Sequence, residues 1–177
     1  MNKITKVLSI LALAVVLPLT GCVAAAPTTD TTASHAAKPA ETPKEQNGTL
    51  AFGEAKTYSN GVSLSVSEST VFVPSDSAYG VVTGMNYLAF TVVLTNNSDE
   101  ALEPSPYTTL SAGGVESDSV YDTENSIGRI GGSPETVILP GQTVQWIEGF
   151  NVADVTSLTL QSAPSYEYTD AVFTNIK

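Results

Sequence analysis

One cysteine and one histidine, Cys22 and His35, are the entire thiol and imidazole complement of this 177-residue sequence, and both lie before residue 48. Residues 48–177 therefore offer no Cys/His zinc set, no Ser-His-Asp or Cys-His nucleophile and no imidazole base. A lysine-activated serine would have to use Lys56 or Lys177, the only lysines in that stretch, and neither sits in a motif. Gly128-Arg129-Ile130-Gly131-Gly132 is glycine-rich but lacks the following helical pattern that a phosphate-cradling loop needs. Carboxylates are what remain: 18 Asp and Glu against seven Lys and Arg. Paired acids support glycoside hydrolysis, which makes an envelope hydrolase the enzymatic alternative. Glu116, Asp118, Asp122 and Glu124, beside Asn125, form an acidic run whose oxygens suit Ca²⁺, with Asp118, Asp122 and Glu124 as the candidate ligands of a calcium-dependent adhesion module. The run lacks EF-hand spacing, and a solvated acidic loop is the favoured reading. No cofactor is expected.

Two further groups invite a functional reading. In the alternating stretch 143–152, Glu148 falls on the same face as Val144, Trp146, Phe150 and Val152. An unpaired carboxylate buried there would be costly, so Glu148 is either a cleft carboxylate of raised pKa beside Trp146 or a side chain turned outward by a bulge at Glu148-Gly149. The glycine favours the bulge. Tyr166-Glu167-Tyr168 puts two of the seven tyrosines on one face of an extended segment, as a recognition surface would. Tyr166, Tyr168, Glu148 and Trp146 are thus the candidate binding residues.

The elements that would position these groups fall into three parts. Residues 1–6 carry Lys3 and Lys6 and no acid, and residues 7–19 are apolar apart from Ser9, a run of 13. That length suits a secretory h-region and falls short of a membrane-spanning helix. The run ends at Leu19-Thr20-Gly21-Cys22, where small residues open the backbone to enzymes and a thiol supplies the nucleophile for a thioether. A lone cysteine forms no intrachain disulfide. The expectation is a signal peptide over 1–21, the alternative being ordinary secretion with cleavage near Ala24 to Ala26. Residues 22–47, rich in Ala, Thr and Pro and without an aromatic, read as a disordered linker, in which His35 is solvated. Fully stretched, it would reach roughly 80 Å.

Residues 48–177 read as one all-β domain of about eight or nine strands. The clearest strand spans 86–96, with Leu88, Phe90, Val92 and Leu94 on one face, ending in the turn Asn96-Asn97-Ser98-Asp99. Val62, Leu64 and Val66 alternate with serines after the turn Ser59-Asn60-Gly61. A single first strand is predicted over 50–58, and 71–73 reads as an edge ending at Pro74. Gly113-Gly114 predicts a hairpin joining 107–112 to 115–121. Further strands are predicted over 137–139, 143–152, around Leu158 and Leu160, and over 171–176, packed as two antiparallel sheets.

Two resemblances sharpen this. Leu19-Thr20-Gly21-Cys22 resembles the bacterial lipoprotein lipobox, which implies diacylglyceryl attachment at Cys22, hence palmitate-type acylation and anchoring in the cell membrane facing the extracellular side. The strand from Tyr87 through Asn96-Asn97-Ser98, followed by Leu139-Pro140-Gly141-Gln142 and the strand over 146–152, resembles an immunoglobulin-like domain of unknown function found in many Gram-positive lipoproteins. The family's Leu-x-Pro-Gly turn is here Leu-Pro-Gly, and the paired cysteines of antibody-type domains are absent, so core packing alone must hold the sheets together. The resemblance implies an immunoglobulin-like antiparallel β-sandwich and an envelope address, and carries no catalytic residues. Without residues 1–21 the chain keeps five bases against 18 acids, a net −13. Such a surface disfavours nucleic acid and anionic lipid and favours cationic partners. The expected function is a non-enzymatic binding or adaptor module, held to membrane lipid through Cys22 and meeting an unknown envelope protein or glycan.

Overall fold

The computed structural model describes residues 47–176; the signal segment, Leu19-Thr20-Gly21-Cys22, His35, the linker over 22–46 and Lys177 lie outside the described residues. Every regular element among the described residues is a strand, and there are eleven where eight or nine were expected. They are β1 (Thr49–Ala51), β2 (Ala55–Thr57), β3 (Val62–Val66), β4 (Thr70–Val71), β5 (Asn86–Asn96), β6 (Tyr107–Ala112), β7 (Val115–Glu116), β8 (Ser119–Val120), β9 (Thr143–Val152), β10 (Leu158–Ala163) and β11 (Ala171–Thr174). A five-stranded sheet runs β1-β11-β10-β6-β7, and a six-stranded sheet runs β2-β3-β5-β9-β8 with β4 also on β5. The two sheets form a β-sandwich.

The larger strand count comes from strands that change sheet. The strand expected over 50–58 is cut by a turn in which Glu54 N–H donates to Ala51 O at 3.1 Å and Gly53 takes φ 90°. β1 thereby joins one sheet and β2 the other. The expected 115–121 return strand is likewise divided: β7 pairs with β6 for two residues, then β8 crosses to β9. The strand expected over 137–139 is only an isolated bridge, Leu102 to Ile138. The sheets are also not wholly antiparallel, because β1 runs parallel to β11.

Between the sheets, the inward positions of β3, β5, β9, β10 and β11 meet as a single core containing Leu64, Phe90, Leu94, Phe150, Leu160 and Phe173. Each such fully buried side chain contributes about 1.5–3 kcal/mol of apolar transfer. Phe90 is the hub, with ring centroids 5.3 Å from Phe52 and 6.2 Å from Phe150.

A second, smaller core lies on the outside of the six-stranded sheet. Ala89 and Gly149 are register partners there, and Phe72, Val120 and Ile130 close over these two smallest side chains. Residues 73–82 and 121–131 are fastened to one another above it. Buried Asp122 accepts from Ser75 N–H at 2.8 Å, Ser75 Oγ at 2.7 Å and Asn125 Nδ2 at 2.8 Å. Buried Asn151 donates to Gly80 O at 2.8 Å and accepts from Val82 N–H at 2.8 Å.

Candidate binding surface

Glu148 is not turned out by a bulge. β5 and β9 stay in register through it, Phe90 opposite Glu148 and Ala89 opposite Gly149. The half-buried carboxylate faces the sandwich interior and accepts a hydrogen bond from Trp146 Nε1 at 2.7 Å. Desolvation raises its pKa above the usual glutamate range, and the indole donor pulls it back only in part. Gly149 has a different reason to be glycine. A Cβ there would stand 2.5 Å from Ile130 Cγ2 and 3.0 Å from Val120 O, so the glycine makes room for the outer core.

The calcium candidates do not assemble. Among the described residues no group of three or more Asp, Glu, His or Cys side chains is placed to hold a metal ion. Asp122 is occupied as an internal clamp: burial alone would raise its pKa, but the donors from Asn125, Ser75 and Glu124 N–H outweigh that and hold it at about 2. Glu124 accepts from Ser77 Oγ at 3.0 Å, and the Asp118 carbonyl accepts from Asn151.

Tyr166 and Tyr168 do not share a face, because residues 164–168 form turns rather than an extended segment. Tyr166 is 81% exposed and stacks on Tyr107 with centroids 5.1 Å apart. Tyr168 packs edge-on against Tyr58 at 4.8 Å, and its hydroxyl accepts from Asn60 Nδ2 at 2.9 Å. Both nevertheless line one groove. It is open, about 900 Å³, and runs between the loop after β5 and the loop from β10 to β11. Asp99, Glu100, Glu103 and Glu167 line it together with Tyr166 and Tyr168, and among the described residues no Lys or Arg does.

Hydrogen bonds hold both walls. Fully buried Asn96, at the end of β5, donates to Glu100 O and Ile138 O at 2.8 Å each and accepts from Ser98 Oγ at 2.6 Å, which shapes the acidic loop. On the other wall, buried Lys56 reaches from β2 to Thr169 Oγ1 at 3.0 Å and Asp170 O at 3.2 Å, while Tyr58 OH donates to Thr169 O at 3.0 Å. Tyr107 OH donates to the Asp170 carboxylate. That bond, with burial and the nearby charge, raises the phenol pKa to about 12. Sequence reading gave no binding role to the groove acids and weighed Lys56 only as a serine activator. Ser98 and Asp99 were visible only as a turn, and nothing local marks Lys56, whose partners lie more than a hundred residues away.

No family model matches the chain, and no curated protein does. Solved structures do. The yjhA protein of Bacillus subtilis is similar at TM-score 0.54 and 14% identity over 70% of this chain and 97% of its own. The ycdA protein of Bacillus subtilis, described as a candidate lipoprotein, is similar at TM-score 0.53 and 16% identity over 68% of this chain, which spans only 37% of that protein. At these identities the likeness is one of fold.

Proposed function

We propose that this chain is a lipoprotein of the outer surface of the cell membrane, attached through Cys22, whose β-sandwich is a non-enzymatic binding module for a cationic partner. The observation that carries the reading is the groove, with four carboxylates, two tyrosines and, among the described residues, no basic side chain along its walls. Acids attract a cationic peptide or amine over several ångströms, and tyrosine faces attract it at contact. The groove's tyrosine wall is held by Lys56 and Tyr58, so little ordering is left for binding to accomplish. The non-enzymatic part of the reading rests on residues 48–177 having neither Cys nor His.

The test titrates the full chain with hexalysine. Binding should weaken with added salt and fall about tenfold or more in Glu100→Gln/Glu103→Gln/Glu167→Gln. Equal binding by that variant would reject the groove. Anchoring has its own readout: labelled palmitate should enter the native protein and not Cys22→Ala, which should be released into the medium.

A further inference from the structure

The outer face of the five-stranded sheet carries a chemically different surface. Register sets Thr109 opposite Gln161 and Ser111 opposite Thr159 on β6 and β10. The four side chains thus stand at the corners of a rectangle of about 4.8 Å by about 6.8 Å. The hydroxyls of Thr108 and Ser162, neighbouring residues of the same two strands, meet at 3.0 Å. By contrast, the four outward side chains have no hydrogen-bond partner among the described residues. They floor an open depression of about 480 Å³, which Gly114 and Glu116 of the β6–β7 hairpin also line. Two residues back along β6, Tyr107 lies on the same side, its ring stacked on Tyr166 and its hydroxyl tied to Asp170. On a chain with 18 acids, this floor has none among the described residues; Glu116 lines the depression, and the Asp170 carboxylate stands at the Tyr107 hydroxyl.

We propose that this face binds a neutral glycan. Hydroxyl and amide groups that both donate and accept, set in a flat array beside an immobilised aromatic ring, are the chemistry that recognises a polyol. An anion finds no cation on this floor, and an apolar chain finds no apolar floor. Six register pairs between β6 and β10 hold the array rigid, so binding orders the sugar and little else. The floor shares no residue with the acidic groove, which it meets through the stacking of Tyr107 on Tyr166.

The test uses the full chain in a detergent without a sugar headgroup, titrated by calorimetry with hexasaccharides of glucose, mannose and N-acetylglucosamine. At least one should bind, with an affinity indifferent to salt. Thr109→Ala/Gln161→Ala and Ser111→Ala/Thr159→Ala should each weaken it about tenfold or more, which is about 1.4 kcal/mol, with Trp146 fluorescence unchanged. Glu103→Gln/Glu167→Gln should leave it intact. The proposal is overturned if no hexasaccharide binds, if both double variants bind as the native chain does, or if the groove variant abolishes binding equally.

Discussion

The two outer faces of this sandwich are built from similar strands and end up unlike. On the six-stranded sheet, the pair Ala89 and Gly149 leaves a hollow that Phe72, Val120 and Ile130 fill, and Asp122 and Asn151 fasten the covering loops. On the five-stranded sheet, the pairs Thr109–Gln161 and Ser111–Thr159 stand uncovered. The difference teaches that side-chain size at one register pair decides whether a sheet face becomes a second core or stays available to a ligand.

The sharpest way to break this contrast is Asp122→Ala, which strands the Ser75 and Glu124 N–H groups and leaves the Asn125 amide with Val73 O alone. A loss of about 3 kcal/mol is expected in denaturant unfolding. Amide exchange should speed up over residues 73–82 and 121–131 before it does in β10 and β11. Uniform acceleration across both sheets would show that the covering layer is not a separate unit. The depressed Asp122 pKa stabilises the fold above the ordinary aspartate value, and that contribution is lost as pH falls through about 2.

Gly149→Ala comes next, at about 1–3 kcal/mol, because the new methyl meets Ile130 and Val120 O where neither has room to withdraw freely. Thr109→Ala on the bare face should change stability by no more than about 0.5 kcal/mol. Equal costs at the two positions would erase the distinction between the faces.

Glu148→Gln tests the interior between them and should stabilise the protein at neutral pH by roughly 0.5–1 kcal/mol. The folded-state pKa of Glu148 is raised, so its contribution is present in full below the ordinary glutamate value and lost as pH rises through the folded value. The gap between variant and native protein should therefore open with rising pH, tracked by Trp146 fluorescence. The smallest effect belongs to Tyr107→Phe, under about 1 kcal/mol for a largely solvated bond. In the native protein Tyr107 should ionise late, near 12, and that step should vanish in the variant. The stabilisation from the Tyr107–Asp170 bond holds below the ordinary tyrosine pKa and disappears as pH climbs through about 12.

Some of this was legible in the residues. β5 spans Asn86–Asn96 as its alternation requires, and β9 spans Thr143–Val152, because two-residue periodicity and flanking turns are local properties. Gly149 was legible as an exception but not as to its cause. A glycine in a strand signals either a bulge or a close approach, and only the arrival of Ile130 from another part of the chain distinguishes them. The candidate site was half visible. Tyr166 and Tyr168 were singled out on the supposition of a shared face, which the turns over 164–168 do not give, while Asp99 and Glu167 were read only as parts of a turn and of the tyrosine motif, and Glu100 and Glu103 were not read at all.

By itself, the sequence determined the all-β class, the two long central strands and the lack of any thiol or imidazole chemistry in residues 48–177. Alternation and composition are carried by neighbouring residues, so no tertiary knowledge was needed. Only the tertiary structure decided that β1 and β2 belong to different sheets, that Glu148 faces inward to Trp146, that Lys56 holds a tyrosine wall and that one sheet face is covered while the other is bare. Each of those depends on chain distant in sequence, as Ser75 is from Asp122, Lys56 from Thr169, and β5, whose regular pairing keeps Glu148 on the Trp146 face, from β9, and contacts of that range leave no period in the chain.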